Sequence, residues 1–438
     1  MSAFYEMTAV QLRQEIQKGR IGVKELTRAY LARIDTLDGA SGLNSIALLD
    51  PSAIRQAQQI DSQKERENLP LFGLPILVKD NIDVAGLPTT AGSPALSDNI
   101  ATEDAPIVAQ LRQNGALILG KTNMTEFANY TTKGMPNGYS SGGGQVRNAY
   151  DPAADPGGSS SGSAVAVSAG LCAAAVGTDT SFSVVGCATH NGVAGLKPPH
   201  GALPTTRIVP ISHTLDTAGA LARDFSDALL LYHGMRNAPL PASTPTKPSD
   251  LRIAVNTFDR DQVSDAQLAR YETLFAALRG AGATFAHVSH ANVEALGDIM
   301  RCEFRHDLED YLRTASAKRK TLREIVADYE ADPVRMMKYG ITHLRAALDA
   351  ASGQMDDPPY RAAMLAREKQ RAQLFESLRA YDACVMTGSS NVMHFTGLPS
   401  VALKLCMADD QTPRGIILYG TDEMRLYAAA LTIERFCI

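Results

Sequence analysis

The sequence predicts an α/β protein. Short apolar runs bounded by Gly and Pro alternate with segments whose apolar residues recur at helical spacing, and that alternation argues for a helix-covered sheet rather than a bundle. A chain of 438 residues with 45% hydrophobic and 20% charged side chains can bury a large core. A Gly- and Ser-rich stretch interrupts the periodicity in mid-chain and marks where chemistry is concentrated.

Taken in order, residues 7–37 read as helices. Thr8 is placed to cap the run Val10, Leu12, Ile16, and apolar residues recur from Val23 to Ile34. Leu71–Val78 reads as a buried strand, Ala105–Asn114 as a helix stopped by Gly115, and Ala116–Leu119 as a strand leading into GKTNMTEFA. Residues 131–158 are rich in Gly, Ser, Asn and Pro; a loop this long in a compact region is usually functional or disordered. Ala164–Leu171 reads as a buried helix and Ala173–Val176 as a strand running into Gly177-Thr178-Asp179-Thr180.

Prolines cluster over 236–250, a loop or junction. A strand (Leu251–Val255), a helix (Asp265–Ala281) and a strand (Thr284–Val288) follow. Residues 294–380 are helical and charged; Leu308, Leu312, Ile325 and Met336 form a core stripe or a lid over a substrate cleft. Asp382–Met386, Ser400–Leu405 and Gly415–Leu418 read as returning strands, and Glu423–Arg435 as the last helix.

Composition excludes several functions. The net charge of −5 and the absence of a basic run argue against nucleic acid. No run of 18 apolar residues occurs, so no membrane span is expected. Six scattered cysteines without a C-x-x-C pair fit a reduced, cytoplasmic setting. They read as core residues, Cys187 included. No cofactor or metal motif is present. The expected assemblies include a homodimer.

The chemistry lies in two segments. GGSSSG (157–162) offers Ser159, Ser160 and Ser161 in a glycine-flanked turn, and GTDTSFS (177–183) ends at Ser183. Serine needs a base to become a nucleophile. None of the nine histidines sits in a nucleophile-elbow context. A lysine can serve if it is uncharged, which costs roughly 4–5 kcal/mol near pH 7 unless burial lowers its pKa. Lys79 follows the apolar run Leu74, Ile76, Leu77, Val78, while Asp80 alternates to the opposite strand face. One serine of the turn would relay the proton and another would cap the following helix. Asp179 is expected to order its turn by accepting backbone N–H groups, and His190 to be structural.

GLPILVKDNIDVAG, GKTNMTEF, PGGSSSGSAVAVSAG, GTDTSFS and GVAGLKP, in this order, resemble the amidase signature family over nearly the whole chain. The resemblance implies one domain over 1–438 built on a large mixed, twisted sheet surrounded by helices. It also implies a Ser–cis-Ser–Lys triad with Lys79 as base, Ser159 as the cis serine and Ser183 as nucleophile. Backbone N–H groups of Thr180, Ser181 and Phe182 would form the oxyanion hole. Within the family the chain is most similar to peptide-amidase-like members, implying hydrolysis of a linear carboxamide through an acyl-enzyme, with a small-molecule or peptide amide, such as a peptide C-terminal amide, as the expected partner.

The chain departs from the family pattern beside the nucleophile. Ser181-Phe182 stand where the family has two glycines, Cys187-Ala188 replace Pro-Ala, and Val185 takes the place of a frequent arginine. Two alternatives follow: an amide-forming acyl transferase or amidotransferase, and a non-catalytic member that kept the fold.

Overall fold

The computed structural model describes residues 4–62, 69–236, 243–258, 263–291, 293–350 and 355–437. Thirteen strands are present among them: β1 Ile46–Leu49, β2 Pro75–Lys79, β3 Leu117–Thr122, β4 Tyr139–Ser140, β5 Gly144–Gln145, β6 Ala174–Asp179, β7 Ala194–Lys197, β8 Thr217–Ala222, β9 Arg252–Asn256, β10 Thr284–Val288, β11 Ala383–Met386, β12 Ser400–Met407 and β13 Pro413–Tyr419. Eleven form one sheet in the order β1-β3-β2-β6-β8-β7-β12-β13-β11-β9-β10, and β4-β5 form a small hairpin. The sheet is mixed: β2 runs parallel to β3 and β6, and β9 parallel to β10 and β11, while the strands between pair antiparallel. This is the large mixed sheet surrounded by helices that the family resemblance implies.

The parallel pairs require crossovers, and the sequence supplies them as helices. Pro106–Gln113 carries the chain from β2 to β3, with Pro106 at its first position and Gly115 in the left-handed region (φ +90°) just past its end. Asp265–Gly280 joins β9 to β10 and is capped by Ser264. β2 and β6 are buried at every position, which explains runs of apolar residues without polar alternation.

The strands and helices expected from the sequence are present with ends shifted by a few residues. Three elements of the sheet are additional: β1, β7 and β8. β8 is TAGALA and β7 is AGLK; such small residues carry little strand signal, yet both lie mid-sheet. Part of the proline-rich junction, 237–242, lies outside the described residues, as do 351–354 of the helical region.

That region forms the helices Leu296–Thr314, Leu322–Ala331, Pro333–Met336, Thr342–Ala350 and Pro358–Leu378. The first four of them build a second core in which Phe304, Leu308, Leu312, Ile325 and Leu344 pack with Phe127, Tyr130, Val209 and Ile211. Buried polar bonds fasten it to the loops above the sheet: Tyr311 Oη donates to Asp83 (2.8 Å), Tyr329 to Glu126, and Thr214 Oγ1 to Glu303 (2.6 Å).

Candidate active site

Parallel neighbours β2 and β6 end side by side. Val78 lies opposite Val176, so Lys79 and the Thr178–Asp179 pair emerge at the same carboxyl edge of the sheet. Open α/β sheets commonly bind ligands at such an edge. The serine turn lies against it. Gly157 has φ +72°, the Gly158–Ser159 peptide is cis, and the helix Ser161–Ser168 follows. β6 makes room for the turn with Gly177, where a Cβ would come within 2.7 Å of Ser160 Oγ.

This packing brings together the three residues the sequence singles out. Lys79 Nζ lies 2.8 Å from Ser159 Oγ, and Ser159 Oγ lies 3.0 Å from Ser183 Oγ. Lys79 and Ser159 have no solvent exposure and Ser183 has 5%. Burial lowers the Lys79 amine to about 7, although Asp179 and Asp216 pull the other way.

Two further residues surround the amine that the sequence alone does not assign to it. Nζ is 3.0 Å from Ser160 Oγ and 2.8 Å from Thr178 Oγ1. Ser160 Oγ donates to Thr178 O (3.0 Å), and Asn81 Nδ2 donates to Thr178 Oγ1 (3.0 Å). The expectation that a serine side chain caps the helix is not met. Ser160 is the N-cap residue, but its hydroxyl faces Lys79 and Thr178, and Ser161 Oγ donates instead to Gly157 O (2.6 Å). The buried lysine draws Ser160 away from the cap. Asp80 does turn to the opposite face, where it meets the buried Lys121 (3.5 Å).

The turn that carries Ser183 is held by side chains on all sides. Asp179 Oδ2 accepts the Val184 N–H (2.7 Å), as expected of a turn-ordering aspartate. Thr180 Oγ1 donates to Asp216 Oδ1 (2.6 Å), whose carboxyl burial raises to about 6. Ser181 Oγ donates to Asn391 Oδ1 (2.5 Å). Phe182 sits at φ +63° and donates its N–H to His394 Nε2 (3.1 Å). Of the three backbone donors expected to face an oxyanion, that of Phe182 is therefore turned onto a side chain. The N–H groups of Ser181 and Ser183 meet no acceptor among the described residues. His394 and Asn391 lie about 210 residues downstream, and no motif in the sequence marks them.

Cys187 is fully buried and its thiol is pushed up to about 12, so it is not a thiolate near neutral pH. His190 Nδ1 lies 3.2 Å from Asp155 O. His213, Glu303 and Asp307 bring ligand-type atoms within 4.8 Å of one another. Their carboxylates already accept from Ser212, Thr214, Tyr360 and the His213 N–H, which leaves little for a cation. A surface cleft of about 730 Å³ is lined by Asn148, Asp155, His190, Tyr271 and Arg414 and touches none of Lys79, Ser159 or Ser183. A far smaller void beside the lysine is lined by Asn81, Thr178, Thr180 and Asp216.

A buried lysine, a serine on a cis peptide and a second serine on a Gly-Thr-Asp-Thr turn thus lie together at one edge of a mixed sheet. The chain belongs to the Amidase family, which it matches over residues 25–412. Its structure superposes on native peptide amidase from Stenotrophomonas maltophilia with a TM-score of 0.89 at 31% identity, covering 98% of this chain and 96% of that one. It is 35% identical over 385 residues to mandelamide hydrolase of Pseudomonas putida, covering 85% of this chain and 74% of that protein. It is 38% identical over 247 residues to a probable amidase of Arabidopsis thaliana, covering 55% of this chain and 48% of that protein. The chain thus spans about half the length of several curated relatives it matches. Among the described residues no helix is long and apolar enough to cross a membrane.

Proposed function

We propose that this protein hydrolyses a linear carboxamide, with Lys79 as base, Ser159 as proton relay and Ser183 as nucleophile. The observation that carries the reading is the unbroken line Nζ–Oγ–Oγ, 2.8 and 3.0 Å, from a buried lysine to Ser183. A neutral amine has two N–H donors and one lone pair. In the structure Lys79 Nζ stands as donor to Ser159 Oγ and Ser159 Oγ as donor to Ser183 Oγ; in the neutral amine Thr178 Oγ1 and Ser160 Oγ take the two N–H groups, and the proposed relay turns the Ser159 hydroxyl onto the free lone pair. As Ser183 Oγ attacks the carbonyl carbon, its proton passes to Ser159 and the Ser159 proton passes to Lys79. The lysinium then returns a proton through Ser159 to the departing amine, the C–N bond breaks, and an acyl-Ser183 ester remains. Water, deprotonated along the same relay, cleaves the ester and regenerates Ser183.

Charge developing on the carbonyl oxygen would be met by the N–H groups of Thr180, Ser181 and Ser183. The Phe182 N–H, engaged by His394, is not counted among them. The substrate class proposed is a peptide C-terminal amide or a related primary amide, by analogy with the peptide amidase neighbour. All six cysteines are free, which suits a reducing compartment. The helices of 294–380, bonded to the loops over the sheet edge, are proposed to wall the substrate cleft.

Ammonia release from a set of peptide amides and aryl amides tests the reading, with Ser183→Ala as control. Equal rates for the two proteins refute it. Absence of both turnover and sulfonyl-fluoride labelling of Ser183 would instead favour the non-catalytic alternative that the engaged Phe182 donor suggests, and turnover dependent on an added amine would favour acyl transfer.

A further inference from the structure

We infer that His394 is a positioning residue that does the work of the missing glycine pair, locking the Ser183 turn from behind through the Phe182 amide. The inference rests on the amide-cleavage reading for its consequence, but not for its geometry.

Phe182 occupies the left-handed region at φ +63°, a conformation unfavourable for a residue with a Cβ. Nothing in its own chemistry keeps it there. Three contacts do. Its N–H donates to His394 Nε2 (3.1 Å), and its ring meets the imidazole edge-on at 4.4 Å. Its carbonyl accepts the Gly186 N–H (2.8 Å). Gly186 is itself fitted to this arrangement, because a Cβ there would come within 3.1 Å of Phe182 Cβ. The neighbouring Ser181 is tied by its hydroxyl to Asn391, one helical turn from His394 on the same short segment.

His394 is fully buried, and burial lowers its pKa against the opposing pull of Asp179. Accepting from Phe182 requires the lone pair on Nε2, which places the proton on Nδ1. Nδ1 lies 3.0 Å from Asp179 Oδ1, at ion-pair distance though outside good hydrogen-bond alignment. Asp179 holds the other side of the turn through the Val184 N–H. The residues before and after Ser183 are therefore each tied by their backbone to one member of a touching His–Asp pair. Ser183 is held between them with its hydroxyl toward Ser159. His394 reaches no atom of Lys79, Ser159 or Ser183 by hydrogen bond; it acts through the backbone.

The test uses the purified full chain as wild type, His394→Ala, His394→Gln, Phe182→Gly and the Phe182→Gly/His394→Ala double variant. Gln can still accept an N–H, and Gly adopts a positive φ without a Cβ penalty. Three readouts are taken: amide hydrogen exchange in the peptide spanning 179–186, the rate of Ser183 labelling by a sulfonyl fluoride, and kcat and KM for ammonia release. We expect His394→Ala to speed exchange at Phe182 at least tenfold and to slow labelling and kcat at least tenfold with KM nearly unchanged. His394→Gln should recover much of the loss. In the Phe182→Gly background, His394→Ala should cost less than threefold. Unchanged exchange in His394→Ala overturns the inference. So does an equal loss in both backgrounds, since a residue that only fills space would not discriminate between them. If the wild type neither releases ammonia nor labels while exchange still responds to His394→Ala, the positioning stands and the amidase reading falls.

Discussion

Replacing Lys79 by Met keeps an unbranched side chain as far as Cε and removes the nitrogen. The structure gives the size of the effect. The amine is wholly buried and lowered from 10.5 to about 7. A base with that pKa is half neutral at pH 7 and about one-tenth neutral at pH 6. For the wild type, kcat/KM should therefore rise about tenfold per pH unit below about 6, about fivefold between pH 6 and 7, and level off above about 8. Without the amine, general-base assistance is lost and kcat should fall by roughly 10²- to 10⁴-fold, with the pH limb near 7 removed. Stability carries a second signature. Because the folded-state pKa lies below the unfolded value, the unfolded chain binds more protons between about pH 7 and 10. Wild-type stability should accordingly rise with pH across that window, by roughly 4–5 kcal/mol in all, relative to Lys79→Met. Ammonia release across pH 5.5–9 and urea melts at pH 7 and 9.5 measure both. A Lys79→Met enzyme at wild-type speed, or a wild-type profile flat from pH 6 to 8, would refute the assignment of this lysine as base.

Ser159→Ala should lower kcat by roughly 10²-fold or more while leaving Ser183 open to sulfonyl-fluoride attack at a reduced rate; labelling at the wild-type rate would remove Ser159 from the relay. Lys121→Met leaves Asp80 buried opposite an apolar group, and denaturant unfolding should show a loss of about 3–5 kcal/mol. Phe304→Ala opens the second core against Phe127 and Tyr130 and should cost about 3–5 kcal/mol by the same measurement. Because this core and the sheet are bound by buried hydrogen bonds, calorimetry should show a single transition that moves as a whole in Phe304→Ala; two separable transitions would mean that the helices of 294–380 fold as a unit of their own.

How much was legible depended on the kind of signal each element carries. β2 could be found because it follows Pro70 and Gly73 and is apolar from Pro75 to Val78, up to Lys79. The helix Asp265–Gly280 could be found because Ser264 and Asp265 announce its start. β8 could not. Its Ala and Gly residues have weak strand preference, and it is a strand because β6 and β7 flank it on both sides. The candidate site divides in the same way. Lys79, Ser159 and Ser183 lie in spaced motifs. Thr178 and Ser160 lie in those motifs too, but whether they face the amine depends on how β2 and β6 are registered.

The amino-acid order alone determined the α/β class, an apolar environment for Lys79 and a glycine-flanked serine turn, because these follow from local periodicity, backbone freedom and short-range motif spacing. Folding alone decided that Ser159 bridges Lys79 and Ser183, and that His394, distant along the chain, takes the Phe182 amide. Hydrogen bonds act over about 3 Å, and residues so far apart in sequence reach that separation only when strand pairing and helix packing bring them there.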